Sequence, residues 1–263
     1  MIKVIVNGAY GRMGRTVLNA VINDPELELV GAVDVIGGAD SGEISGNKKN
    51  AIVVETDLTK ALIEKKPDVM IDFTQPQAVF QNVITALENK VSPVVGTTGL
   101  SDAEKEIIRE TSEKFDTPVF IAPNFAIGAV LMMLVSKQIA KYMPDVEIIE
   151  LHHDKKLDAP SGTAELTAKM IAEVRESHQQ GHPNEVEKMD HVRGANYDGI
   201  HIHSVRLPGY VAHQEVIFGG LGQTLTIRHD STGRDSFMPG VLLACKKVRS
   251  LKGLTIGLDK LLD

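Results

Sequence analysis

The sequence predicts an α/β fold: a doubly wound parallel sheet, joined to an α+β region that carries a mainly antiparallel sheet. Three observations carry that expectation. Up to about residue 145, short β-branched runs alternate with longer amphipathic stretches. A glycine cluster, Gly8, Gly11 and Gly14, follows the first apolar run directly. Beyond residue 145 the rhythm changes to alternating runs, two of them separated by the turn Gly219-Gly220-Leu221-Gly222. Apolar strands alternating with helices imply parallel strands covered on both faces, whereas alternating runs joined by glycine turns imply antiparallel pairing.

Taken in order, the first region holds expected strands at residues 2–6, 27–33, 51–54, 68–72, 91–95 and 117–121. Helices are expected between and after them at 12–22, 58–65, 77–89, 102–115 and 128–142. The second region opens with a strand at 146–153, then a polar loop and a helix at 163–177. In that helix Leu166, Met170, Ile171 and Val174 share one face, which must pack on something. Residues 178–198, rich in Gly, His and Asn, read as a long mobile loop. Strands at 200–206, 214–218 and 223–229, a helix at 240–249 and a strand at 254–256 complete the chain.

The 263 residues are enough for one large domain or two modest ones, and the composition is that of a soluble globular protein. A net charge of −7 argues against a nucleic-acid footprint, so an acidic ligand must find locally placed cations. The one cysteine, Cys245, lies in an apolar run and reads as a small buried residue. It excludes an internal disulfide, as suits a reducing cytosol. Neither a membrane-spanning run nor a signal peptide is apparent, so a soluble cytoplasmic protein is expected.

The segment Gly8-Ala9-Tyr10-Gly11-Arg12-Met13-Gly14 joins a strand to a helix. A dinucleotide needs a tight turn there, close backbone approach to its pyrophosphate, and N–H groups at a helix start. The spacing is G-x-x-G-x-x-G, with Ala9 at the usual first glycine site. Asp34 ends the second strand about 20 residues beyond Gly14, where a carboxylate accepts hydrogen bonds from ribose hydroxyls. Two loops, Gly96-Thr97-Thr98-Gly99 and Ala122-Pro123-Asn124-Phe125, follow later strands, at the carboxyl ends where a nicotinamide carboxamide would bind. The cofactor expected from this pattern is NADH, NADPH or both.

Chemistry concentrates in Glu150-Leu151-His152-His153-Asp154-Lys155-Lys156-Leu157-Asp158-Ala159-Pro160-Ser161-Gly162-Thr163-Ala164. Adjacent histidines on a strand point to opposite faces and make a poor metal site, and His201 with His203 lacks an evident third ligand. No metal is expected. Instead, two imidazoles and a lysine offer a proton donor near neutral pH and a cation. Ser161, Gly162 and Thr163 offer hydroxyls and N–H groups at a helix start for a carboxylate. An acid, a cation and an anion cradle suit reduction of a small carboxylated unsaturated substrate.

This stretch resembles the signature of the dihydrodipicolinate reductases, E-x-H-H-x-x-K-x-D-A-P-S-G-T-A, at every fixed position. Asp72-Phe73-Thr74, Ser204-Val205-Arg206 and residues 231–237 also fall in the family's order, so the resemblance spans essentially the whole chain. It implies a Rossmann-type domain at 1–123 completed by 233–263. A substrate-binding and oligomerisation domain at 124–232 is inserted between them, with homotetramers built through its sheets. It further implies reduction of 4-hydroxy-tetrahydrodipicolinate in lysine and diaminopimelate biosynthesis, with hydride delivered to ring C4 and water lost. In that resemblance His152 is the proton donor, Lys156 serves binding and proton transfer, and His153, Ser161, Gly162 and Thr163 surround the ring carboxylates. The chain departs from some members at Val35 and Gln75, where they have arginines, which lowers the expected preference for NADPH. His213-Gln214 stands where others have Glu-His, and no role is assigned to it. A different dehydrogenase of this architecture, or a non-enzymatic NAD(P) sensor, would need no such acid-and-cation cradle.

Overall fold

Val4, Ile5 and Val6 at the centre of the first strand have no exposed surface, as a strand covered on both faces requires. The computed structural model describes residues 1–262. The chain divides into two compact units, Met1–Phe125 together with the chain from Phe237 onward, and Ala126–Ser236.

The first unit contains β1 (Ile2–Asn7), α1 (Arg12–Asn23), β2 (Leu27–Val33), the short α2 (Ser41–Ile44), β3 (Val54–Glu55) and α3 (Leu58–Lys65). β4 (Val69–Asp72), α4 (Pro76–Glu88), β5 (Ser92–Val95), α5 (Asp102–Phe115) and β6 (Val119–Ile121) follow. A last helix, Met238–Lys247, and a last strand, Leu254–Ile256, return to this unit. Across the sheet the order is last strand, β6, β5, β4, β1, β2, β3, and every neighbouring pair is parallel. The chain winds outward in both directions from β1 and β4, so the crevice at their carboxyl ends is the place where such sheets bind ligands. Two apolar clusters flank the strands: Val79, Val83 and Leu87 of α4 with Val95, Val119 and Ile121, and Leu62 with Ile5, Val33 and Met70. Cys245 is buried in the last helix, and burial pushes its thiol pKa up, which keeps it unreactive.

The second unit contains α6 (Ile127–Ile139), β7 (Asp145–His152), α7 (Gly162–Ala172), β8 (Ala195–Tyr197), β9 (Ile200–Arg206), β10 (Ala212–Gly220) and β11 (Gln223–Ser231). Its sheet runs β11, β10, β7, β9, β8, antiparallel throughout except for the parallel pair β7–β9. Val146 and Ile148 of β7 and Val216 and Phe218 of β10 pack with Ala164, Ala168 and Ile171 of α7. The alternate residues of β7 and β10 are only half-buried, and β11 is exposed over most of its length. No helix of the described residues is long and apolar enough to cross a membrane.

The expected α/β architecture is thus present; besides the additional short α2 and an α6 that ends at Ile139 rather than 142, three differences have a local cause. The strand expected at 51–54 shrinks to β3, because the Asp40 carboxylate gathers the main-chain N–H groups of Gly42, Glu43, Asn50 and Ala51 and organises a loop there. The helix expected at 163–177 stops at Ala172; the Arg175 guanidinium beyond it donates to the carbonyls of Pro144 and Asp198. The stretch expected to be loop throughout contains β8, paired with β9.

Candidate active site

Two glycines explain how β1 turns into α1. Gly8 has φ +90°, and a Cβ there would lie 2.3 Å from the Phe73 carbonyl oxygen at the end of β4. A Cβ on Gly14 would lie 1.9 Å from the Gly8 carbonyl oxygen, so α1 approaches the turn only because that side chain is missing. Gly11 is the N-cap of α1 and supplies no side chain to its first N–H groups, which leaves them to an anion. Asp34 fastens the turn from the end of β2: one carboxylate oxygen accepts from Tyr10 N–H at 2.8 Å and the other from Val35 N–H at 2.7 Å. A carboxylate oxygen accepts more than one hydrogen bond, so a ribose diol can still be received.

These groups border a cavity of ≈ 420 Å³ at the β1/β4 crevice, lined by Gly8, Tyr10, Gly11 and Asp34 among the expected residues. Ala9 is buried behind the turn, while Arg12 (exposed) and Met13 (half-buried) begin α1 outside the cavity lining. Gly96, Thr97 and Thr98 follow β5, and Ala122, Pro123, Asn124 and Phe125 follow β6; none lines this cavity. Phe125 packs its ring 5.9 Å from that of Phe73.

Asp72 had been noted in the sequence without a role. It ends β4 with no exposed surface, and among the described residues its hydrogen-bond partners are all uncharged. Its Oδ2 accepts from the side-chain amides of Asn7 and Asn82, each at 2.9 Å. Its Oδ1 accepts from Thr74 N–H at 3.2 Å, Thr74 hydroxyl at 2.8 Å and Thr97 hydroxyl at 2.7 Å. One carboxylate thereby ties together the ends of β1, β4 and β5 and the body of α4. Asn7, Thr74 and Asn82 also line the cavity, so Asp72 shapes its wall from behind.

In the second unit His152 ends β7, and its Nδ1 lies 2.5 Å from Oε2 of Glu150. Glu150 is completely buried. Arg206, on the neighbouring β9 opposite His152, donates to both carboxylate oxygens, at 2.9 Å from Nη1 and 2.7 Å from Nη2. Ser161 N–H donates to the same carboxylate at 3.2 Å. Burial alone would raise the Glu150 pKa, but hydrogen bonds from His152, Arg206 and Ser204 outweigh it and hold the pKa at about 2. The Lys156 ammonium donates to Asp158 at 2.7 and 2.8 Å, and Arg206 reaches the Asp158 carbonyl at 2.6 Å. His153 is exposed in the turn after β7.

Ser161 is engaged within the protein: its hydroxyl oxygen caps α7 by accepting from Ala164 N–H, and its own N–H serves Glu150. Gly162 is exposed at the first position of α7, with open space where a Cβ would stand, and Thr163 follows it, half-buried. The structure thus joins His152, Ser161, Lys156 and Asp158 through Glu150 and Arg206, neither of which had been assigned a role. His201 and His203 are held by the Arg193 carbonyl and by Glu147. No group of three or more His, Cys, Asp or Glu suited to a metal occurs among the described residues.

Family models described as dihydrodipicolinate reductase, N-terminus, and dihydrodipicolinate reductase, C-terminus, match residues 2–125 and 128–262. The chain belongs to the dihydrodipicolinate reductase family. It is an oxidoreductase served by a pyridine nucleotide. A 4-hydroxy-tetrahydrodipicolinate reductase of Desulfitobacterium hafniense is 53% identical over 100% of this chain and 99% of its own length. That of Geobacillus kaustophilus is 52% identical over 100% and 99%. Among solved structures, a dipicolinate-bound dihydrodipicolinate reductase from Paenisporosarcina sp. TG-14 covers both chains fully, with 48% identity and a TM-score of 0.90. An amine dehydrogenase from Mycobacterium smegmatis, at 12% identity and TM-score 0.68 over 97% of this chain and 94% of its own, shares the fold.

Proposed function

We propose that this reductase is a cytoplasmic enzyme that converts 4-hydroxy-tetrahydrodipicolinate to tetrahydrodipicolinate, the first unit holding the cofactor and the second the substrate. The observation that carries the reading is His152 at the end of β7, backed by a buried carboxylate and followed by a lysine and a helix start, in a chain matched end to end by reductases of that name. A reduced nicotinamide held by the first unit would supply the hydride for ring C4. Gly8, Gly11 and the start of α1 receive the pyrophosphate, and Asp34 the adenosine ribose. Lys156, with His153, Gly162 and Thr163, holds the dicarboxylate. His152 gives a proton to the ring, neutralising the charge that addition leaves there; with the 4-hydroxyl lost as water, hydride and proton balance. The half-buried face of the second sheet, which carries Ile149, Leu151 and Ile217, favours assembly through that sheet into a homotetramer.

The test is NADH absorbance on mixing the purified protein with the condensation product of pyruvate and aspartate semialdehyde. Absorbance should fall with wild type, and His152→Gln should lower kcat by about 10²-fold or more with NADH affinity unchanged. Near-normal turnover by His152→Gln removes His152 from the mechanism.

A further inference from the structure

We propose that the buried Glu150–Arg206 pair is the positioning device of this site: Glu150 holds Nδ1–H of His152, so that Nε2 is the nitrogen that releases the proton. This deepens the reading of His152 as proton donor and rests on it.

The geometry is built from both sides. Glu150 and His152 are two residues apart on β7, which brings their side chains to one face of the strand, and Nδ1 meets Oε2 at 2.5 Å. An ionised carboxylate only accepts, so the proton between them belongs to the imidazole. A free carboxylate would swing among rotamers. This one is fixed by the two-pronged contact of Arg206, which a planar guanidinium makes in one orientation. The same pair secures the loop carrying Lys156, since Ser161 N–H ends on Glu150 and Arg206 ends on the Asp158 carbonyl. One ion pair therefore orients the imidazole and ties down the loop from which the lysine projects.

The charged groups on neighbouring elements have other partners. Lys156 and Asp158 pair with each other, and Glu165 at the start of α7 pairs with Lys169. On β10, Ala212 stands opposite His152, and the adjacent His213 is held by Asp230. Glu150 is thus the carboxylate that bears directly on the imidazole.

Glu150→Gln removes the anion with little change in shape. With the imidazole no longer held from behind, kcat at neutral pH should drop about tenfold or more. The NADH dissociation constant should stay within about twofold, because its residues lie in the other unit. In the His152→Gln background the same change should cost clearly less than in wild type, since only its hold on the Lys156 loop remains.

A second measurement needs no variant of Glu150. In wild-type protein labelled with ¹⁵N-histidine, assigned by comparison with His152→Gln, the neutral imidazole should carry its proton on Nδ1. A proton on Nε2 overturns the proposal, as does wild-type kcat in a folded Glu150→Gln variant. If His152→Gln turns over normally, the proton-donor reading and this inference fall together. If it is inactive while Glu150→Gln keeps wild-type kcat, the positioning role alone is lost.

Discussion

Asp72→Asn tests whether one buried carboxylate organises the cofactor cavity. The substitution keeps the shape and exchanges one oxygen for NH₂. Thr74 N–H belongs to the main chain and cannot turn, so the new amide oxygen must take the Oδ1 position beside it. Its NH₂ then faces the amide groups of Asn7 and Asn82, which both donate to Oδ2 in the wild type. Two hydrogen bonds to a charged acceptor, each contributing about 1.5–3 kcal/mol, become donor–donor contacts. Turning the two asparagine amides recovers part of this, leaving a net loss of about 2–4 kcal/mol. At about 2–4 °C per kcal/mol, calorimetry should show the first unit melting about 5–15 °C lower. Because Asn7, Thr74 and Asn82 line the cavity, titration should show NADH binding about tenfold more weakly. Lys60→Ala is the control: its exposed pair with Glu64, at 3.9 Å, contributes under about 0.5 kcal/mol. An Asp72→Asn protein that melts with the control and binds NADH at wild-type affinity would refute the reasoning.

Three further expectations follow from the same geometry. NADH should bind at least as well as NADPH, by up to about 1–2 kcal/mol, because Asp34 repels a 2′-phosphate and its exposed neighbours Val35 and Ile36 bring no cation; a tenfold calorimetric preference for NADPH would contradict this. Lys156→Ala should both lower kcat and raise the substrate KM, each by about tenfold, and a loss confined to kcat would remove its binding role. Glu150 has a folded pKa of about 2 against 4.5 unfolded, so its contribution of about 3 kcal/mol is present above pH 4.5 and is lost as pH falls toward 2. Urea titrations of wild type and Glu150→Gln from pH 6 to 2 should converge in acid, and parallel curves would show that Glu150 is not the group responsible.

Most of the architecture was legible because burial on both faces demands apolar runs, and those runs stand out at β1 and β4. The differences arise where side chains redirect the backbone. Residues 51–54 have a strand's composition, but a carboxylate at Asp40 organises the chain before them. Val174 continues the apolar stripe of α7, yet the Arg175 guanidinium is engaged by carbonyls well outside the helix. β8 has all three residues exposed, so no alternation could reveal it.

The candidate site divides along the same line, since residue types can be read from sequence and their partners require register. His152, Lys156 and Ser161 stand out by chemistry. Arg206 gains meaning only when β9 lies beside β7 with Glu150 opposite Ser204, because that alignment brings a guanidinium from 56 residues away onto the carboxylate. One sequence signal did point to it. Along β7, Val146, Ile148 and Glu150 occupy the buried phase of the alternation, so an acid stands where the pattern calls for an apolar side chain. An isolated carboxylate there would be strongly disfavoured, and a buried one persists only with a cation and hydrogen-bond donors around it. A charge in the buried phase of a strand, two residues before a histidine, therefore predicts both a basic partner on the neighbouring strand and an imidazole held from behind.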